Sequence, residues 1–225
     1  MSAWPTLVIM AKRPKLSQGK QRLARDIGAI SALITAEALL DCAIEDAASW
    51  PGLVVLAVAH QGDIAWAQAL VKLTVQNVQT IYQGEGNLGQ RMNHLDTHLR
   101  DAGHHELVFI GTDCPMLTQD YYHNLPSQLA TTDVLLSKAD DGGVVMMASN
   151  KAWPDLQHLP LSKKNLASAL AQCCNQEELS VSYYDDNYDI DRIADLARLK
   201  DDLALDNRPA RQVLLTHVIN CFIEP

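Results

Sequence analysis

Residues 106–115 read ELVFIGTDCP, an apolar run that ends in a glycine, an aspartate and a proline. The uninterrupted apolar residues favour a strand that is covered on both faces of a parallel sheet. The segment from Gly111 to Pro115 stops this strand and leaves the carboxylate of Asp113 just beyond its carboxyl end. In open α/β sheets, ligands bind at this end of the strands, so Asp113 is a candidate site residue. The simpler interpretation is that Asp113 only caps a turn.

Runs of this kind recur along the chain and alternate with longer stretches of helical periodicity. Besides Glu106 to Gly111, strands are predicted at Thr6 to Ala11, Leu53 to Ala59, Asp133 to Ser137 and Val144 to Ala148. Helices are predicted at Leu33 to Ala47, Asp63 to Leu73, Leu88 to Ala102, Thr118 to Leu129, Lys164 to Cys174, Asp191 to Leu203 and Ala210 to Phe222. This alternation predicts an α/β fold, a three-layer sandwich with a mainly parallel sheet.

Composition limits the size and the partners of the protein. A chain of 225 residues with 48% hydrophobic residues is expected to form a single domain, residues 1–225. We expect the last helix, about 210–222, to pack on the outside of this domain or at an interface, such as that of a homodimer. The net charge of -9 argues against nucleic acid and acidic membrane surfaces as partners. No apolar run is long enough to span a membrane. Five cysteines, an odd number without a CxxC pair, favour a reducing cytoplasmic location.

A basic loop follows the first strand. Six of the 18 lysines and arginines fall between Lys12 and Arg25, in a chain that is acidic overall. Positive charge in a loop that leads into a helix suits the phosphates of a nucleotide. The loop contains neither a Walker nor a dinucleotide-binding pattern, so a solvated basic loop is the alternative interpretation.

An acidic segment, Asp185 to Asp191, provides further candidate ligands. Asp189 and Asp191 are two residues apart and would face the same way in extended chain, where they could complete a divalent-metal site begun by Asp113. Asp191 is also a candidate N-cap for the helix that follows it. The metal would be Mg²⁺ or Mn²⁺, because oxygen ligands together with substrate phosphates suit these ions.

Two glycine-rich turns and two reactive residue types complete the candidates. The loop Gln83 to Met92 allows close backbone approach by a nucleotide, and Asp140 to Gly143 is either a plain hairpin or a place where carboxylates bind an acceptor hydroxyl. His94 and His98 are one helical turn apart, but a solvated helix face is favoured over a metal site. Cys114 has no identifiable histidine partner, so a buried thiol is favoured over a nucleophile.

Taken in order, the motifs resemble a bacterial family assigned as glycosyltransferases and associated with radical-SAM and selenium-linked genes. This family belongs to the nucleotide-diphospho-sugar transferase superfamily, together with the molybdenum-cofactor and 2-phospholactate guanylyltransferases. The resemblance covers about residues 6–200. It rests on AKxP followed by KQRLA at residues 11–24, QGEGNLGQRM at 83–92, GTDCPMLT at 111–118, DDGG at 140–143 and DIDRIADLARL at 189–199.

The resemblance implies a glycosyltransferase-A type fold, a bound nucleotide or nucleotide sugar, a small-molecule acceptor and a divalent metal. The catalytic residues would be Lys20, Arg22 and Asp113, and the metal ligands Asp113, Asp189 and Asp191. The nucleotide-binding residues would be Ala11, Lys12, Lys20, Arg22, Gly86, Gln90, Arg91 and Thr112. Asp141, Gly142 and Gly143 would lie on the acceptor side.

The chain departs from the family pattern at four places. Ser17 stands where glycine is usual, Gln21 replaces threonine, Val144 replaces an aromatic residue, and Leu161 to Lys163 replace a WGT segment. The leading hypothesis is a metal-dependent transferase that uses a nucleoside diphosphate sugar or a nucleoside triphosphate, with glycosyl transfer placed ahead on the resemblance. The alternative is a catalytically degenerate nucleotide-binding module that acts as a sensor or partner subunit.

Overall fold

The computed structural model of the chain describes residues 4–160 and 165–223. Within them seven strands form one sheet: β1 (Thr6–Ala11), β2 (Val54–Val58), β3 (Val78–Tyr82), β4 (Leu107–Ile110), β5 (Val134–Ala139), β6 (Val144–Ser149) and β7 (Val181–Asn187). The α-helices are α1 (Gln21–Ile27), α2 (Ala29–Ala48), α3 (Ile64–Val71), α4 (Leu88–Asp101), α5 (Gln119–Leu129), α6 (Leu166–Gln176), α7 (Ile193–Asp202) and α8 (Pro209–Asn220).

The strands are ordered β3-β2-β1-β4-β6-β5-β7, and β6 runs antiparallel to both of its neighbours while the other pairings are parallel. This confirms the predicted α/β fold with a mainly parallel sheet. The order reverses at β1, which has β2 on one side and β4 on the other. Ligands of open α/β sheets bind at such a reversal, where the two flanking loops separate and leave a crevice.

Helices cover both faces of the sheet, as a three-layer sandwich requires. Buried side chains of α2, α3 and α5 form one core cluster with β1, β2 and β4, and those of α4 and α6 form another on the opposite face. A third cluster joins α1 and α2 to α7 and α8. The last helix therefore packs against the outer side of α2 and contributes the buried Leu214 and Val218. No helix in the described part of the chain is long and apolar enough to cross a membrane.

Several element boundaries differ from the predictions. The edge strands β3 and β7 and the short helix α1 were not predicted, because their sequences lack an apolar run or a long periodic stretch. Asp191 is not the N-cap of α7. That position is Arg192, and the carboxylate of Asp195 accepts hydrogen bonds from the backbone N–H groups of Asp191 and Arg192. The predicted segment Leu161 to Lys163 and the helix start at Lys164 lie outside the described residues.

The loops at the carboxyl ends of β1, β4, β5 and β7 leave the sheet at the same edge because these strands are parallel. Asp140 to Gly143 is a hairpin turn between β5 and β6, as one of the two interpretations predicted. The chain after β7 returns toward β4, where the backbone N–H of Ile190 donates to the carbonyl oxygen of Asp113 at 2.9 Å. Residues from distant parts of the sequence thus meet beside the reversal at β1.

Candidate active site

Lys20 enters the site from the loop after β1. It has a left-handed backbone conformation, with φ of 46°, and is the residue that precedes α1. Its Nζ lies 2.9 Å from Oδ2 of Asp113 and donates to the carbonyl oxygen of Ile190 at 2.5 Å. The Lys20 side chain is almost fully buried and that of Asp113 is about half exposed, with 8% and 47% of their areas accessible. A single ammonium thus connects the loops after β1, β4 and β7.

Part of the basic loop has a structural role. The Nζ of Lys15 lies 3.3 Å from Oδ1 of Asp63, whose side chain is buried, and Nη1 of Arg13 lies 3.8 Å from the same oxygen. The guanidinium of Arg13 also lies 5.6 Å from the centroid of the Trp66 ring. These two cations hold the loop against the start of α3. Lys20, the last residue before α1, and Arg22, in the first turn of α1, instead pair with Asp113 and Asp191.

The acidic segment after β7 places the carboxylates of Asp189 and Asp191 in the same cavity lining as Asp113, and the turn between β5 and β6 adds that of Asp141. The Nη1 of Arg22 lies 2.5 Å from Oδ2 of Asp191, and this pair is well exposed to solvent. Burial raises the pKa of Asp189, and the negative charges of Asp141 and Asp113 raise it further, while the cation of Lys20 acts against them. The carboxylates therefore repel one another, and the two cations balance only part of this charge.

A cavity of about 530 Å³ lies between these loops. Its polar lining includes five of the residues named as site candidates: Arg22, Asp113, Asp141, Asp189 and Asp191. Gln21 and Gly143 line it as well. Lys20 faces this group through its ion pair with Asp113. The structure thus brings together the predicted phosphate, metal and acceptor residues, whose roles remain predictions.

The turn between β5 and β6 forms one rim of the cavity. Oδ1 of Asp141 accepts a hydrogen bond from the backbone N–H of Gly143 at 2.9 Å, and Gly142 has φ of 89°. The carbonyl oxygen of Gly142 accepts from the backbone N–H of Ala167, in the first turn of α6. The turn is therefore held in place by its own aspartate and by the helix behind it.

Other predicted nucleotide-binding residues do not line this cavity. Gln90 accepts a hydrogen bond from the backbone N–H of Asn87, and Asn87 accepts one from the N–H of Gln90, so the two residues form a capping box at the start of α4. Arg91 donates through Nε to the carbonyl oxygen of Gly86 at 3.0 Å. These contacts show structural roles for Gln90 and Arg91. The remaining predicted nucleotide-binding residues outside the cavity lining are Ala11, Lys12, Lys20, Gly86 and Thr112, of which Lys20 contacts the lining through Asp113.

Two arginines, one of them fully buried, brace the loop that carries Asp113. Arg211 of α8 has no exposed side-chain area, and its Nε donates to the carbonyl oxygen of Pro115 at 3.1 Å. Its Nη2 lies 2.6 Å from Oδ2 of the buried Asp46. Arg208 donates to the carbonyl oxygen of Leu117 at 2.9 Å. Sequence reasoning missed this brace, because an arginine in an amphipathic helix is normally assigned to the solvated face.

The chemistry of the acidic residues fits a hard divalent cation, although the structure does not group enough of them to hold it alone. In residues 4–160 and 165–223, no three His, Cys, Asp or Glu side chains are arranged as a metal site. Mg²⁺ is commonly held by one or two protein carboxylates, with substrate phosphates and water as the other ligands. The predicted ligands Asp113, Asp189 and Asp191 all line the cavity, and the negative charge of Asp113 contributes to the raised pKa of Asp189.

The alternative reactive groups carry no second site. His94 and His98 are exposed on α4 with their rings stacked at 6.4 Å. Burial raises the pKa of the Cys114 thiol to about 12, which keeps it protonated at neutral pH. The five cysteines are free, and none forms a disulfide.

Residues 43–163, more than half of the chain, match the model of a family described as an uncharacterized protein conserved in bacteria (DUF2064). The chain belongs to the DUF2064 family. This match contains Asp113 and Asp141, whereas Lys20, Arg22 and the segment 189–191 lie outside it. No curated protein matches this DUF2064 chain in sequence.

Solved structures resemble the DUF2064 chain over almost its whole length. A candidate nucleotide-diphospho-sugar transferase from Desulfovibrio desulfuricans G20 has a TM-score of 0.85 and 16% identity, and covers 98% of this chain and 99% of its own. A cytidylyltransferase from Leptospira borgpetersenii has a TM-score of 0.57 and 13% identity, and the match covers 97% of this chain and 95% of its own. The 4-diphosphocytidyl-2C-methyl-D-erythritol synthase from Anaerococcus prevotii has a TM-score of 0.56 and 11% identity. This match covers 86% of this chain and 92% of the synthase chain. At these identities the likeness shows the fold.

Proposed function

We propose that this protein is a transferase that takes a nucleoside diphosphate sugar or a nucleoside triphosphate as its donor. The observation that carries the proposal is the convergence of Arg22, Asp113 and Asp189 on one cavity at the reversal of the sheet, with Lys20 paired to Asp113. Cations beside carboxylates suit a diphosphate together with a divalent cation. The fold shared with nucleotide-diphospho-sugar transferases and cytidylyltransferases supports the same reaction class.

The ion pairs of the free protein explain how the site accepts a donor. Lys20 and Arg22 are paired with Asp113 and Asp191, so the charges are partly balanced before any ligand binds. When phosphates enter, their oxygens compete with these carboxylates for the two cations. The carboxylates that lose a partner are then free to hold Mg²⁺ or Mn²⁺, which would neutralise charge that develops on the leaving phosphate.

Group transfer would proceed at the rim formed by Asp141. In glycosyl transfer, the oxygen of an acceptor hydroxyl bonds to the anomeric carbon, the bond from that carbon to the diphosphate oxygen breaks, and the nucleoside diphosphate leaves with the electron pair. In nucleotidyl transfer, the same oxygen bonds to the α-phosphorus and pyrophosphate leaves. In both cases the hydroxyl proton passes to a rim carboxylate, for which we assign Asp141.

The motif resemblance places glycosyl transfer first and links the chain to radical-SAM and selenium-associated glycosyltransferases. It also supports a relationship to the molybdenum-cofactor guanylyltransferases. Both remain proposals, as do a cytoplasmic location and a homodimer.

The test is a thermal-shift screen of nucleoside triphosphates, nucleoside diphosphates and nucleotide sugars, each with and without Mg²⁺ or Mn²⁺. A ligand that binds only the folded state raises the unfolding midpoint, so a metal-dependent increase is expected with at least one donor. Release of nucleoside diphosphate or pyrophosphate from that donor then establishes turnover. Metal-dependent binding without release would support the non-catalytic binding module, and no increase with any nucleotide would contradict both functions.

A further inference from the structure

One wall of the cavity is apolar and belongs to the face of the sheet that α4 and α6 cover. Phe109 of β4 pairs with Met147 of β6, and both lie in the same buried cluster as Met92 of α4. Met10 of β1 packs against that cluster. All four residues line the cavity, and Met146 lines it as well, so four methionines and one phenyl ring border the same space.

The apolar surface continues to the mouth of the cavity. Leu88 and Leu166 are the first residues of α4 and α6, and both line the opening. The side chain of Leu88 is 43% exposed although it is large and apolar. An exposed leucine that continues a buried apolar wall favours contact with an apolar ligand over contact with water.

The opposite rim carries excess negative charge. Among the described residues that line the cavity, Asp113, Asp141, Asp189 and Asp191 are acidic and Arg22 is basic. A second anionic group beside these carboxylates would be repelled. The apolar half of the cavity therefore suits a ligand that has no negative charge.

We propose that the apolar half of this cavity binds the acceptor, and that the acceptor is an alcohol with an uncharged hydrocarbon or aromatic body. The proposal rests on the transferase function proposed above. The cavity has the size of a small-molecule site, and methionine side chains adapt to apolar ligands of irregular shape. The hydroxyl of the alcohol points to the rim, where the carboxylate of Asp141 accepts its hydrogen bond.

The donor does not suit this wall. A nucleobase or a sugar against Phe109 and the methionines would leave its polar groups without partners, at a large desolvation cost. Its phosphates belong at Lys20 and Arg22, the cations that pair with Asp113 and Asp191. The two substrates would thus meet at the acidic rim, with the donor on the cationic side and the acceptor on the apolar side.

Methyl NMR of protein labelled at the methionine methyl groups tests this assignment without any turnover. Addition of 1-octanol is expected to shift the methyl signals of Met10, Met92 and Met147 in a saturable way. Met116 is an internal control because it packs in the third core cluster, away from the cavity. Octanoate, which has the same chain and a negative charge, is expected to bind about ten-fold more weakly or worse, and glycerol is expected to cause no shift.

A matched pair of variants tests the location. Leu88→Glu places a charge at the mouth of the cavity, and a glutamate in the first turn of a helix is favourable, so the fold is retained. The affinity for 1-octanol should fall by about ten-fold or more. Leu73→Glu makes the same change at a leucine that is 93% exposed and outside the cavity, and it should leave the affinity unchanged.

The proposal is overturned if 1-octanol shifts none of the three methyl signals, or if cytidine or guanosine displaces it from them. Nucleotide binding is measured separately by calorimetry on the same protein. Nucleotide binding without 1-octanol binding would reject the apolar acceptor site and keep the transferase function. Saturable 1-octanol binding without any nucleotide binding would keep the apolar site and reject the transferase function.

Discussion

The ammonium of Lys20 lies 2.9 Å from the carboxylate of Asp113, although the two residues are 93 positions apart in the chain. Lys20 reaches this position because its backbone is left-handed, which turns the side chain from the loop after β1 toward the loop after β4. The same ammonium donates to the carbonyl oxygen of Ile190. These contacts prearrange a cation at the place where we propose that donor phosphates bind.

Lys20→Ala is expected to weaken the binding of a nucleoside diphosphate by about ten-fold, because one charge-assisted hydrogen bond is lost. The affinity for the corresponding nucleoside should change little, since it lacks the phosphates. Isothermal titration calorimetry with both ligands measures the difference. Arg25→Ala is the control, because it removes the same charge from α1 at a residue that is not in the cavity lining. Equal weakening of nucleoside and nucleoside diphosphate would argue against a phosphate contact for Lys20.

Asp113→Asn should reduce metal-dependent nucleotide binding and leave the fold intact, because it removes a ligand charge without changing the volume of the side chain. We expect the ratio of affinities with and without Mn²⁺ to fall by about ten-fold or more. Asp120→Asn on the exposed start of α5 is the matched control. An unchanged ratio in the Asp113 variant would remove this residue from the metal site.

The central strands were predictable because they are buried on both faces and consist of apolar runs. The edge strand Val181–Asn187 was not, since its sequence, VSYYDDN, has neither an apolar run nor a regular alternation, and none of its residues is fully buried. The tip of β4 could likewise be predicted as a candidate site, because a carboxylate follows a buried strand. Which cation it contacts depends on the conformation of a loop, and the positive φ of Lys20 has no clear sequence signature.

Gln90 has a structural role that the interpretation of the sequence did not include. The family resemblance assigned it to the nucleotide, while the structure uses its side chain to cap α4 together with Asn87. A polar residue followed three positions later by glutamine is the capping-box pattern, so the local sequence did contain this information. The capping role is visible in the structure, and the nucleotide contact that the resemblance implies for Gln90 stays a prediction.

Gly89→Ala should destabilise the protein even though alanine favours helices by about 1 kcal/mol over glycine. An added Cβ at Gly89 would lie 2.1 Å from the carbonyl oxygen of Leu156, which is backbone and cannot move freely. Asn93 accepts from the backbone N–H of Leu156 and fixes that segment against α4. We expect a loss of about 1–3 kcal/mol in the free energy of unfolding, measured by urea titration. Gly62→Ala, where a Cβ meets nothing within 4 Å, should be close to neutral.

The stability contribution of His217 should depend on pH. Burial lowers its pKa below the ordinary value of 6.5, against the opposing effect of the hydrogen bond to the carbonyl oxygen of Ser31. Because the folded state binds the proton less tightly than the unfolded state, this contribution is complete above about pH 6.5 and is lost as the pH falls toward the folded-state pKa. Between pH 7 and pH 5, urea titrations should show a larger decrease in the free energy of unfolding for the native protein than for His217→Gln. Equal losses would show that His217 is not responsible.

Arg211→Met should cause the largest loss of stability among these variants. The guanidinium is fully buried and contacts Asp46, Glu45 and the carbonyl oxygen of Pro115, so its removal leaves a buried carboxylate with Arg208 as its remaining cation. Breaking such a buried pair costs about 3–5 kcal/mol. A urea titration of Arg211→Met and the native protein measures this loss in the free energy of unfolding.

A double-mutant cycle separates the ion pair from the brace on the loop that carries Asp113. Asp46→Asn in the Arg211→Met background should recover part of the loss, because the buried charge is then gone. The hydrogen bond to Pro115 remains broken in the double variant, so its metal-dependent nucleotide affinity should stay below that of the native protein even where its stability recovers. If affinity and stability recover together, α8 stabilises the fold without positioning Asp113.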